Sequence, residues 1–187
     1  MSDFTSLENH FLIAMPSLQD PYFERTVTLI CQHNSDGALG IVINRVTNLT
    51  LGDILQQLEL PDDQLEAPET PVYFGGPVQS ERGLILHEAD SHWESTLKIG
   101  DEFGLTTSKD IIEAIAHNTG PKCCLMALGY AGWGDGQLER ELQENAWLSG
   151  PADREVIFKT PIDERWSRAA EILGIDINQM VSGAGHA

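Results

Sequence analysis

Positive charge is scarce in this chain: 11 Lys and Arg stand against 29 Asp and Glu, a formal net charge of −18. Non-specific affinity for nucleic acid comes from Lys and Arg displacing condensed counterions, so a chain whose basic residues are scattered is expected to be repelled by bare DNA. The same deficit argues against an anionic membrane surface. Cysteine is also sparse. Cys31, Cys123 and Cys124 form an odd set without a Cys-x-x-Cys pair, which speaks against a disulfide framework and fits a reducing compartment. No apolar run reaches the length of a bilayer crossing, since even the stretch from Cys123 is broken at Gly129. Residues 1–8 lack the basic start and apolar core of a secretory signal, so the expected location is the cytoplasm. His10, His87 and His186 lie far apart with no HxH or HExxH spacing, and neither a metal site nor a cofactor is expected.

What is present is apolar patterning sufficient for a single domain spanning 1–187. Residues 26–33 alternate, with Val27, Leu29, Cys31 and His33 on one side. Asn34-Ser35-Asp36-Gly37 supplies turn chemistry and residues 38–44 give a second strand, so a β-hairpin is predicted. Thr50 and Asp53 have capping-box spacing ahead of a short helix, and Thr107 and Asp110 repeat it. Acidic residues 62–70 read as an exposed loop, and 72–74, 83–87, 97–99, 102–107, 122–130 and 155–158 as strands. Helices are expected after Thr107, from about Gln137 and over 162–173, followed by a small-residue tail at 182–187. Hairpin-length turns outnumber helical crossovers. The predicted fold is therefore α+β, with a mixed, bent sheet rich in hairpins and several helices packed around it.

Two constellations carry candidate chemistry. A four-residue loop in the first hairpin would set His33 opposite Ala38, Cys31 opposite Gly40 and Val27 opposite Asn44. Cys31, His33 and Asn44 would then share a recess floored by Ala38 and Gly40: a thiol beside an imidazole is a candidate nucleophile, and a carboxamide can orient a base. The alternative is structural, with Cys31 a small core residue and His33 a satisfied polar one.

The second constellation is the glycine-rich turn from Gly129 to Glu139, between a buried strand and a helix. It lacks G-x-G-x-x-G spacing and a P-loop Lys, and Asp135, Glu139 and Glu141 crowd it with negative charge, so a nucleotide site is disfavoured. Asp135 as a helix cap, with glycines letting Trp133 pack closely, is the plainer account. Gly75-Gly76-Pro77 permits a sharp bend between strands, or a close approach by a ligand. Asp20, Gly40, Gly75, Gly76, Trp133, Gln137 and Glu139 make up the candidate ligand-contacting set.

Residues 10–16, Cys31-Gln32-His33-Asn34 with 37–44, Gly75-Gly76-Pro77-Val78, 83–87, 129–141 and the terminal Gly185-His186-Ala187 together resemble the AlgH/YqgE family of bacterial proteins, in order and over nearly the whole chain. Leu39 and Leu84 stand where that pattern more often carries Met and Phe, exchanges between core side chains. The resemblance implies a compact α+β fold with a bifurcated, pseudo-barrel sheet. It implies less about activity: members are called transcriptional regulators because of a genetic link to alginate production, and no enzyme activity is established for the family. A nonenzymatic regulatory or binding protein is the leading expectation, its partner a protein or small molecule and its effect on gene expression indirect. The rivals are a hydrolase or thiol-dependent enzyme centred on Cys31, His33 and Asn44, and a direct DNA-binding regulator, which the charge disfavours.

Overall fold

A computed structural model describes residues 4–184. These residues form ten strands and six helices: β1 (His10–Ala14), β2 (Val27–Asn34), β3 (Gly37–Val42), β4 (Val46–Thr50), α1 (Leu51–Gln57), β5 (Pro71–Phe74), β6 (Val78–Glu88), β7 (Thr96–Ile99), β8 (Phe103–Thr106), α2 (Lys109–Ala116), β9 (Cys124–Trp133), α3 (Gln137–Gln143), β10 (Trp147–Pro151), α4 (Arg154–Phe158), α5 (Arg165–Ile172) and α6 (Ile177–Ala184). A 3-10 turn, Ile162–Glu164, leads into α5.

The strands run in the order β10-β1-β2-β3-β9-β6-β8-β7, antiparallel throughout, and the sheet forks at β9. One edge of β9 pairs with β6. The other pairs in parallel with β5 at Ala127 and Leu128, then antiparallel with β3 from Ala131 to Trp133. β4 continues the branch from β5. The result is a curled half-barrel, the bent and bifurcated sheet expected.

Glycine makes the fork possible. The Gly75 N–H donates to the Leu128 carbonyl while its own carbonyl accepts from Val42 N–H, both at 2.9 Å, so this residue bridges β9 and β3 as they part. A Cβ on Gly76 (φ 156°) would lie 2.1 Å from the carbonyl carbon of Tyr130, and one on Gly129 (φ 77°) would lie 2.3 Å from the Gly76 oxygen. Only a residue without Cβ fits such contacts. The neighbour approaching Gly75 and Gly76 is the backbone of β9, which takes the space a ligand would need.

The inner face of the half-barrel holds the main core, in which Phe11, Leu29, Ile41, Leu86 and Phe103 meet Val156, Trp166 and Ala170 from the C-terminal helices. Arg165 fastens α5 to the sheet: buried, it donates to the carbonyls of Ile43 (2.7 Å) and Thr160 (2.8 Å) and to the Tyr73 hydroxyl (3.0 Å). On the outer face, α1 and α2 cover Val72, Ile85 and Met126. Leu138 of α3 covers Leu12, Ile30 and Ala131.

Several local expectations are corrected. Residues 154–158 form α4, because the Asp153 side chain accepts from Val156 N–H as a helix cap and turns Val156 and Ile157 into the core. The Thr50–Asp53 capping box forms as expected. That of Thr107 and Asp110 does not: Ser108 is the N-cap, and Asp110 accepts instead from Ser108 Oγ and Glu94 N–H. Gly136, not Asp135, caps α3. Strands β4 and β10 had no counterpart in the sequence reading, and Ser182 to Ala184 end α6 rather than a loose tail. Residues 185–187, with His186, lie outside the described residues.

Candidate functional site

The two constellations meet where the β2–β3 hairpin touches the start of α3, but with altered membership. His33 faces Ala38 as expected; Gly40, however, faces Ile30 and Val42 faces Thr28, because Cys31 is the extra residue of a β-bulge between Ile30 and Gln32. One inserted residue reverses the alternation beyond it. Leu29 and Cys31 therefore belong to the inner core, whereas His33 turns outward to α3. The expected common face for thiol and imidazole does not form. Cys31 is wholly buried, its thiol bonded to the Leu29 carbonyl at 3.6 Å. Desolvation, reinforced by the nearby Glu8 charge, pushes this thiol far above its ordinary value and keeps it protonated at neutral pH.

Asn44 is also elsewhere. Its carboxamide accepts from Val27 N–H (2.9 Å) and donates to the Arg25 carbonyl (2.9 Å), clamping the start of β2. Val27 and His33 are six positions apart along β2, roughly 20 Å at strand rise. Asp20 closes its own turn, accepting from Tyr22 N–H at 2.8 Å. No hydrogen bond joins Asp20, His33, Asn44 and Gln137 to one another among the described residues.

What the fold does assemble is a polar knot of His33, Trp133, Gln137, Glu139, Glu141 and Trp147. The His33 Nδ1 accepts from Leu7 N–H at 2.9 Å, so this nitrogen carries no proton and the ring donates from Nε2 to Glu139 at 2.6 Å. Partial burial pushes the Glu139 carboxyl up, but hydrogen bonds from its own backbone and from His33 outweigh it and hold the group below the ordinary carboxylate range. Glu141 is the hub: one oxygen accepts from the indoles of Trp133 and Trp147, each at 3.0 Å, and the other from the Gln137 amide at 2.9 Å. Gln137 in turn accepts from Gly134 N–H at 3.0 Å, closing the glycine loop over the start of α3.

Below the knot, Trp133 and Trp147 pack edge to face at 6.2 Å, with Phe23 edge-on to Trp147 at 5.7 Å. Gly40 admits this layer, since a Cβ there would lie 2.7 Å from Thr28 Cγ2 and 3.3 Å from the Trp133 ring. Trp133 is thus buried, and a recess of about 240 Å³ opens only at its rim, walled by Gln32, Asn34, Asp36 and Ala38. The sequence reading named Glu141 only for its charge. The readable sign of its role was helical spacing from Gln137 between two tryptophans. Among the described residues, no group of three or more His, Cys, Asp and Glu is placed to hold a metal ion, and no helix is long and apolar enough to cross a membrane.

Chemically, this arrangement braces a surface. The imidazole lone pair is used by Leu7, both carboxylates are held by donors, and the thiol lies in the core, so these residues do not form a free base–nucleophile pair.

Comparison with known proteins places these features in a wider set. The family model described as AlgH-like matches residues 11–178. A UPF0301 protein of Methylococcus capsulatus is 55% identical over 185 residues, covering 99% of this chain and 98% of its own length. One from Nitrosococcus oceani is 52% identical over the full length of both. The solution structure of the AlgH protein from Pseudomonas aeruginosa superposes with a TM-score of 0.80 at 47% identity, covering 100% of this chain and 99% of that one. A Corynebacterium diphtheriae protein shares the fold at a TM-score of 0.72 and 15% identity, over 96% of this chain and 93% of its own.

Proposed function

This chain belongs to the AlgH-like family, and from that premise we propose that it is a nonenzymatic regulatory protein of the cytoplasm, meeting a protein partner through the β2–β3 hairpin tip and the adjoining end of β9 at Gly132–Gly134. The observation that carries the reading is the mutual engagement of the polar groups behind this surface. His33, Gln137, Glu139 and Glu141 bond one another, the aromatic layer and local backbone, which rigidifies the tip and leaves no group poised for proton transfer. Pre-organised surfaces of this kind lose little freedom on association. A net charge of −18 opposes contact with nucleic acid, so an effect on gene expression would pass through a protein.

The test places a photo-crosslinking residue at Asp36, on the hairpin tip, and separately at Glu113 on α2, and irradiates living cells. One discrete adduct from position 36 that is absent from position 113 supports the reading. Equal, diffuse labelling from both positions overturns it. A mobility-shift assay at low salt supplies the second arm: no retention of duplex DNA is expected, and a salt-sensitive shift would transfer the regulatory role to direct binding.

A further inference from the structure

We propose that a cleft on the inner face of the half-barrel, which meets the hairpin surface only at Leu39, binds a small amphipathic carboxylate. Period-two alternation puts the lining side chains on one side of the sheet. Leu86 pairs with Leu105, and Leu105 with Leu97, so Leu84 on β6, Thr107 beyond β8 and Ser95 before β7 share that face, and Arg82, from the irregular stretch of β6 ahead of Gly83, lines the cleft beside them. Leu39 of β3 and Tyr130 of β9 close the other wall. The space measures about 410 Å³, within the ordinary range of ligand pockets, roughly 300–1,000 Å³.

The chemistry of the lining selects the occupant. Leu39, Leu84, Leu97 and Leu105 give an apolar floor, on which a hydrocarbon or ring body would shed water. No Asp or Glu lines the cleft, although the chain holds 29 of them. Arg82 is the cleft's cation. Its guanidinium donates to the Gln79 side chain at 3.2 Å and forms no ion pair among the described residues, whereas Arg154 is paired with Glu88 and Arg168 with Glu171. The hydroxyls of Ser95, Thr107 and Tyr130 bond no other described residue. One uncompensated guanidinium with neutral donors beside it matches a monoanion that accepts in bidentate fashion, which is a carboxylate; a phosphate dianion would leave a charge unmatched in an acidic chain.

The experiment is an amide-resolved NMR titration of the full chain with decanoate below its micelle concentration, with decanol and acetate as controls for the apolar body and the headgroup. Saturable shifts confined to residues 82–84, 95–97 and 105–107 are expected, with decanol and acetate each weaker by about tenfold or more. Arg82→Gln, at an exposed position, should fold normally and weaken decanoate by about tenfold. Leu97→Trp should fill the cleft and abolish the shifts while amide dispersion reports an intact fold. Unsaturable or dispersed shifts, shifts centred on Gln32 to Ala38, equal binding of decanol, unchanged affinity in Arg82→Gln, or binding retained by a folded Leu97→Trp each overturn the proposal.

Discussion

Strand β9 carries two aromatic residues three positions apart that live in opposite environments. Trp133 faces outward into the knot, where its indole N–H and the side chains of Gln137, Glu141 and Trp147 are bonded to one another, while Tyr130 lines the inner cleft and its hydroxyl bonds no other described residue. The contrast separates two uses of polarity. Buried polar groups that satisfy one another fix a geometry, and partly exposed ones without partners are free to recognise something else. Stability should therefore respond to changes in the knot, and ligand affinity to changes in the cleft.

The largest effect is expected from Trp133→Ala, which opens a cavity against Trp147 and Phe23 and removes a donor from Glu141. A loss of about 3–5 kcal/mol in urea unfolding is expected. A loss below about 1 kcal/mol would mean that the aromatic layer does not brace the hairpin. Glu141→Gln comes next, at a cost of about 1–3 kcal/mol. The new amide can still accept from both indoles, but its NH2 then confronts the Gln137 NH2, whose own oxygen is held by Gly134 N–H. Pairing Glu141→Gln with Gln137→Ala should recover part of that cost, and strict additivity would show that the two side chains do not couple.

Thr28 runs against the pattern of the knot and sharpens it. Its Oγ1 is buried beside Gly40 without a hydrogen-bond partner. Thr28→Val should accordingly raise stability by about 1 kcal/mol, since it deletes an unsatisfied hydroxyl at nearly constant volume. A destabilised Thr28→Val, read by thermal unfolding, would reveal that an internal water serves that oxygen.

Legibility in the sequence followed the range of the interactions. The turn at Asn34 to Gly37, the Thr50–Asp53 box and the His33–Ala38 pairing rest on neighbours in the chain, and each was readable. The bulge at Cys31 rests on how β2 must bend between β1 and β3, which alternation alone does not encode, and it moved the thiol from the expected recess into the core. In α4, the β-prone run Val156-Ile157-Phe158 was overridden by the Asp153 cap and by burial among the C-terminal helices. Short, polar β4 and glycine- and proline-bearing β10 lacked a periodic signal altogether. The cleft was invisible for a simpler reason: its walls come from five strands spread over residues 39–130, and no local motif joins Leu39 to Arg82 or Thr107.

The smallest effect concerns pH and again divides the two regions. Glu139 is held below its ordinary value of 4.5, so its contribution to stability is complete above that pH and fades as pH falls through the lower folded-state value. Because its side chain is 40% exposed, the contribution is screened and should stay below about 1 kcal/mol. Glu139→Gln removes the titrating group, so the stability gap between the wild type and this variant should be level near neutrality and close progressively below pH 4.5. Urea titrations at matched pH read the gap directly, because the other carboxylates cancel in the difference. Arg82→Gln, in contrast, should shift stability by less than about 0.5 kcal/mol at any of these pH values. A gap that stays open in acid for Glu139→Gln would show that the His33 contact braces the hairpin through packing rather than through the carboxylate's charge.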